Sequence, residues 1–197
     1  VTEDSIAKVA TEYYKKHGPR RNYARALYYL GKSYYYNEEY DKAILEYSKA
    51  EKVAVGCDSL YLGMIKVAQA DTYNNTYNSI EELNCSQDAL KILREVGAEK
   101  YLRPTMFSLG KAYHNCDKYQ EAIQIYKSLI ESPTEVDFYT IQAYLGLAYS
   151  MIELPLTNYK TVCDLFEKVH VLDETCFSEN DYWAWAYSLY RIDKSAE

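Results

Sequence analysis

Apolar residues recur along nearly the whole chain at intervals of three to four positions, the spacing that places them on one face of an α-helix. That periodicity, read together with helix breakers, predicts helices at about 3–16, 22–36, 40–54, 58–74, 79–96, 101–115, 119–131, 137–152, 158–171 and 179–192. The punctuation between them is Gly18 with Pro19, Gly56, Gly97, Ser132 with Pro133, and Pro155. Pro155 cannot sit comfortably inside a helix, so Leu154–Asn158 reads as a loop inserted between two helices. The expected class is all-α.

The helices also repeat. Ala26–Tyr34 is followed by Tyr40, Ala43, Tyr47 and Ala50. Phe107–Tyr113 is followed by Tyr119, Ala122 and Tyr126. Ala143–Tyr149 is followed by Tyr159 and Phe166. A weaker copy runs Ala68–Tyr73 and then Ala89. A small residue recurs at Gly31, Ala70, Gly110 and Gly146, at spacings of 39, 40 and 36 residues, and Ala186 stands another 40 on. Such a residue lets two helices approach closely. Tyr34, Tyr73, Tyr113 and Tyr149 are expected to fill the space beside it, with Ala43 and Ala122 as the matching contacts on the second helix.

These residues resemble the tetratricopeptide repeat, whose signature is a Leu-Gly pair, an aromatic three residues later, and small and aromatic residues on a second helix. The plain repeat spans about 34 residues, so these copies are stretched. The resemblance implies a right-handed α-α superhelix of about four helix-turn-helix repeats with half-repeats at both ends. The repeats run at about 22–56, 58–97, 101–133 and 137–172, in a single domain over 1–197. The first helix reads as the second half of an earlier repeat, so the chain is expected to be a fragment of a longer protein. Stretched repeats of this kind are similar to those of bacterial signalling and regulatory proteins, where such an array senses or docks a partner.

Composition narrows the function. With 22 Lys+Arg against 29 Asp+Glu the net charge is −7, which repels phosphate backbones and argues against nucleic-acid binding by this segment. No window approaches the roughly 18 consecutive apolar residues of a membrane span, so membrane contact by this segment is not expected. There are 24 Tyr against 4 Phe and 2 Trp, which suits seams where a ring is buried and its hydroxyl reaches a partner. The five cysteines lie at wide, irregular spacings without a CxxC pair. They read as free thiols, which favours the cytoplasm; an exported or membrane-tethered parent protein is the alternative.

Candidate chemistry is sparse. His114 and Cys116 project about 200° apart on one helix and cannot chelate one ion together. His17 follows Lys15 and Lys16 at a helix end, where cations complement the helix dipole. No phosphate loop, GxSxG or HExxH motif is present. The sequence therefore points to a non-enzyme, with no cofactor, no metal and no catalytic residue.

In tetratricopeptide-repeat proteins the first helix of each repeat lines a concave groove. The resemblance carries that role to Arg25, Tyr28, Lys32, Tyr35 and Tyr36, to Asp71, Asn74 and Asn75 with Met64 and Val67, and to Phe107, Lys111, His114 and Asn115. Thr140, Ala143, Leu147, Ser150 and Met151 follow in the fourth repeat, with Trp183, Tyr187 and Tyr190 on the last helix. Aromatics and amides offer contact area and backbone hydrogen bonds, which suits an extended or helical peptide. The carboxylate clamp of chaperone-binding repeats is not matched, since Tyr28, Lys32 and Asp71 stand at its positions. The expected function is a protein- or peptide-binding module, a scaffold or sensor segment. The alternative is self-association through the terminal helices, as a homodimer.

Overall fold

The computed structural model describes residues 3–131 and 136–194. Among the described residues the chain is all-α, with helices in consecutive packed pairs and no strand. It forms two compact units, Val1–Ser108 and Leu109–Glu197.

The first unit contains α1 (Glu3–His17), α2 (Arg20–Tyr36), α3 (Tyr40–Ala54), α4 (Ser59–Asn75), α5 (Ser79–Glu95) and the start of α6 (Glu99–Asn115). The second holds the end of α6, then α7 (Tyr119–Glu131), α8 (Phe138–Ile152), α9 (Tyr159–Leu172) and α10 (Glu179–Lys194). A 3-10 turn at Glu174–Cys176 precedes α10, which the helical periodicity had no power to predict. Helix ends fall within two residues of the expected ones. α2 starts early because the carbonyl of Pro19 already accepts from the amides of Asn22 and Tyr23. α6 starts at Glu99 and carries Pro104 inside it, where the ring removes one helical donor. The predicted loop at Ser132 and Pro133 lies outside the described residues.

Three inter-helix turns are built alike. Glu38, Tyr77 and Asp117 adopt left-handed backbone with φ of 61°, 58° and 57°. Behind each, two amides fold back onto the helix end. Glu39 and Glu38 donate to the carbonyls of Tyr34 and Tyr35, Asn78 and Tyr77 to those of Tyr73 and Asn74, and Lys118 and Asp117 to those of Tyr113 and His114. This closes the C-termini of α2, α4 and α6 and lets the next helix return antiparallel. Non-glycine residues accept a strained conformation there because the turn over-determines it. Between α8 and α9 the turn is replaced by the inserted loop. There Thr157 donates its hydroxyl to the carbonyls of Leu154 and Met151.

Packing in the first unit centres on Leu27, Tyr28, Ala43, Tyr47, Ala50 and Ile65, all buried. A Cβ placed on Gly31 would lie 2.5 Å from the ring of Tyr47, so only glycine admits that ring. In the second unit Tyr126 meets two glycines: a Cβ on Gly110 would stand 2.6 Å from the ring and one on Gly146 2.4 Å. The expectation that Tyr34, Tyr73, Tyr113 and Tyr149 fill the glycine's space is thus corrected. The rings at the glycines come from the second helix, because α3 and α7 present Tyr47 and Tyr126 directly onto the bare backbone. The four earlier tyrosines are only half-buried; Tyr34, Tyr73 and Tyr113 supply the carbonyls that close their helices. Tyr149 instead donates its hydroxyl to Asp181 at 2.8 Å, which ties α8 to α10.

Candidate functional site: the groove between α1 and α2

α1 and α2 enclose an open groove of about 650 Å³ in the first unit. Its α1 wall is Ile6, Ala7, Ala10 and Tyr14; its α2 wall includes Arg25, Tyr29, Lys32 and Tyr36, with Asn22, Ala26 and Ser33 between. The last four named first lie at i, i+4, i+7 and i+11, which is one stripe of a helix. Alanines at the floor let an incoming element come close to both backbones, while the aromatic rims offer broad contact.

The two cations of the groove differ. Arg25 is committed: its guanidinium lies 2.7 Å from Asp58 and stacks 4.4 Å from the ring of Tyr61. Asp58 is buried, caps α4 and accepts from the amide of Tyr61. Tyr29 and Tyr61 share a hydroxyl contact of 3.1 Å. Burial first, and then that hydrogen bond, push the Tyr61 phenol up to about 12. Lys32 lies over the rings of Tyr28 and Tyr36 at 5.9 and 5.3 Å and has no carboxylate partner among the described residues. It is therefore the cation available to something entering the groove.

The predicted partner-facing residues divide into several settings. Arg25, Lys32 and Tyr36 come together in the groove. Tyr28 does not: at 7% exposure it belongs to the core, with burial raising its phenol, because its ring turns between Tyr47 and Tyr61. Tyr35 accepts a 2.8 Å hydrogen bond from Asn75, a clasp from α2 to α4. Asn74 donates to Glu82 at 3.0 Å, and Asp71 is exposed. Phe107 is half-buried near the end of the first unit.

In the second unit Lys111 and Asn115 are exposed, while His114 is half-buried. Its Nδ1 lies 3.0 Å from Ser150 Oγ, whose proton goes to the Gly146 carbonyl, so the imidazole donates through Nδ1. Burial lowers the pKa of His114, opposed by the charges of Glu153 and Asp117. Trp183, Tyr187 and Tyr190 are exposed on α10.

Tyr29, which is 53% exposed, was missed by carrying over the family's positions. The helical stripe from Arg25 to Tyr36 was the signal that could have found it. The α1 wall had no such signal, since nothing in the sequence pairs Ile6 with Tyr29. Among the described residues no group of three or more His, Cys, Asp or Glu could hold a metal ion, and no helix is long and apolar enough to cross a membrane.

The family described as Tetratricopeptide repeat matches residues 25–52 and 105–134. Solved structures share the fold. BtubC (BKLC) from P. vanneervenii aligns with a TM-score of 0.75 at 14% identity, over 97% of this chain and 83% of that one. RapI, in its apo form, aligns with a TM-score of 0.75 at 14% identity, over 91% and 50%. Aspartyl phosphate phosphatase F from Bacillus subtilis aligns with a TM-score of 0.70 at 14% identity, over 98% and 52%. The chain thus spans about half the length of the last two. At these identities the likeness concerns the fold. No curated protein sequence matches.

Proposed function

The chain is a tetratricopeptide-repeat protein, and from that premise we propose that it is a protein- or peptide-binding module whose α1–α2 groove receives the partner. One observation carries this reading: the groove combines an alanine floor, tyrosine rims and a lysine with no carboxylate partner among the described residues. An element with apolar side chains along one face and a carboxylate beside them satisfies all three. Binding rather than catalysis suits the polar groups around the groove, which are largely spent on each other, as in the Arg25–Asp58 pair and the Tyr35–Asn75 clasp. No convergent set of an acid, a base and a nucleophile accompanies them.

The test compares the immobilised chain with a Lys32→Glu, Tyr29→Ala variant in native lysate, retained proteins being identified by mass spectrometry. Tyr29 is exposed and Lys32 half-buried at the rim, neither belongs to the core, and the variant is expected to melt like the parent. A protein held by the parent and lost from the variant supports the groove. Identical retention by the two removes it as the binding surface.

A further inference from the structure

We infer that each unit carries a pair of tyrosines placed for covalent coupling. Under one-electron oxidation Tyr29 and Tyr61 join as dityrosine and lock α2 to α4, and Tyr159 and Tyr187 join likewise and lock α9 to α10.

The composition, with 24 Tyr against 4 Phe, asks for more than packing. Rings set against bare glycine backbone account for Tyr47 and Tyr126. They do not account for tyrosines whose hydroxyls meet each other.

Tyr29 and Tyr61 lie 32 residues apart, on successive first helices. Their hydroxyl oxygens are 3.1 Å apart and their ring centroids 6.4 Å apart, with 67° between the ring planes. Rings joined end to end through their hydroxyls would hold their centroids farther apart than that. These two lean toward each other on one side of the contact, which brings together the ring carbons ortho to the oxygens. Arg25 lies 4.4 Å over the Tyr61 ring and is itself fixed by Asp58, so the ring keeps its place.

The second unit repeats the arrangement on different helices. The rings of Tyr159 and Tyr187 have centroids 6.0 Å apart and planes 80° apart, and Tyr159 donates its hydroxyl to that of Tyr187. Arg191 lies 4.6 Å over the Tyr159 ring and donates to the Tyr187 hydroxyl at 2.6 Å. Other close tyrosine rings are set differently. Tyr28 and Tyr47 are buried, and the Tyr35 hydroxyl accepts from Asn75.

The oxidant required is hydrogen peroxide acting through a haem peroxidase. It takes one electron and the phenolic proton from each tyrosine, leaving two phenoxyl radicals. Their ortho carbons form the new C–C bond, and the two ortho hydrogens move to the oxygens and restore both phenols. Two tyrosines and one peroxide thus give one dityrosine and two waters. Tyr29 and Tyr187 are 53% and 44% exposed, so one phenol of each pair can release its proton to water.

The 197-residue chain is treated with hydrogen peroxide and a haem peroxidase over a dilution series, and the products are digested and mapped by mass spectrometry. The monomer should become lighter by two hydrogens per bond. Its dityrosine fluorescence per chain should not fall on dilution, and the cross-linked peptides should join Tyr29 to Tyr61 and Tyr159 to Tyr187. Tyr61→Phe and Tyr187→Phe keep the rings and remove the oxidisable phenols, so each should lose its own bond and keep the other. The double variant should lose the monomer's dityrosine fluorescence several-fold; circular dichroism checks that it folds. Oxidation should also raise the urea midpoint of the parent and not of the double variant, because a bond between distant residues restricts the unfolded chain. Coupling only between separate chains, bonds mapped to other tyrosines, or a folded double variant as fluorescent as the parent overturns the proposal. Absence of either bond from the oxidised parent overturns it for that unit.

Discussion

In the first repeat Gly31 takes the ring of Tyr47 against its bare backbone, whereas in the second Ala70 stands at the glycine's place. Tyr47 follows Gly31 by 16 residues; 16 residues after Ala70 stands Ser86, fully buried, its hydroxyl without a hydrogen-bond partner among the described residues. The second unit repeats the first solution and doubles it, since Tyr126 lies between Gly110 and Gly146. One methyl group on the first helix thus goes with the loss of a whole ring on the second. The contrast teaches that small and large residues across a helix seam are chosen together, because close-packed interiors leave no slack for either alone.

The largest effect should come from Tyr126→Ala. It empties a site bounded by two glycines and is expected to cost about 3–5 kcal/mol of stability in urea unfolding, the range for removing a buried aromatic. Tyr47→Ala, facing one glycine, should cost less; equal losses would show that the second glycine contributes nothing. Next comes Gly146→Ala, whose methyl would press on the Tyr126 ring at 2.4 Å, with an expected loss of about 1–3 kcal/mol from overpacking. A variant as stable as the parent would mean that the ring can step aside.

A double-mutant cycle sharpens the comparison from the other side. Ser86→Tyr should destabilise beside Ala70, and Ala70→Gly should cost about 1 kcal/mol in helix propensity. Combined, they rebuild the glycine seam and should couple favourably by about 1 kcal/mol. Additive losses would break the idea that the two positions are chosen together.

The smallest effect concerns the clasps between successive first helices. Tyr35–Asn75 joins α2 to α4 and His114–Ser150 joins α6 to α8, and only the second contains a histidine. Burial lowers the folded pKa of His114 below its ordinary value of about 6.5. Above that pH the imidazole is neutral in both states and adds no pH dependence. As pH falls through it, the unfolded chain takes up the proton first and stability declines, levelling off below the folded pKa. Chemical unfolding across pH 5–8 should show this limb, and His114→Gln should remove it.

Much of this was legible in sequence. Periodicity and breakers located the α-helices of the described residues, because an amphipathic helix writes its buried face at one spacing along its own residues. Gly31, Gly110 and Gly146, with the tyrosines around them, carried the repeat for the same reason: each copy must satisfy one local geometry. Pro155 announced the inserted loop through its missing donor.

What the tertiary structure alone decided is which face of each helix meets which neighbour. Tyr28 and Tyr29 are adjacent in sequence and equally aromatic, yet one turns between Tyr47 and Tyr61 while the other rims the groove. Arg25 and Lys32 are both cations on one stripe, yet only Arg25 finds a buried carboxylate, 33 residues away on the next repeat. A sequence records the spacing within a helix directly. It carries no such record of contacts between helices, where burial and charge pairing depend on residues far apart along the chain.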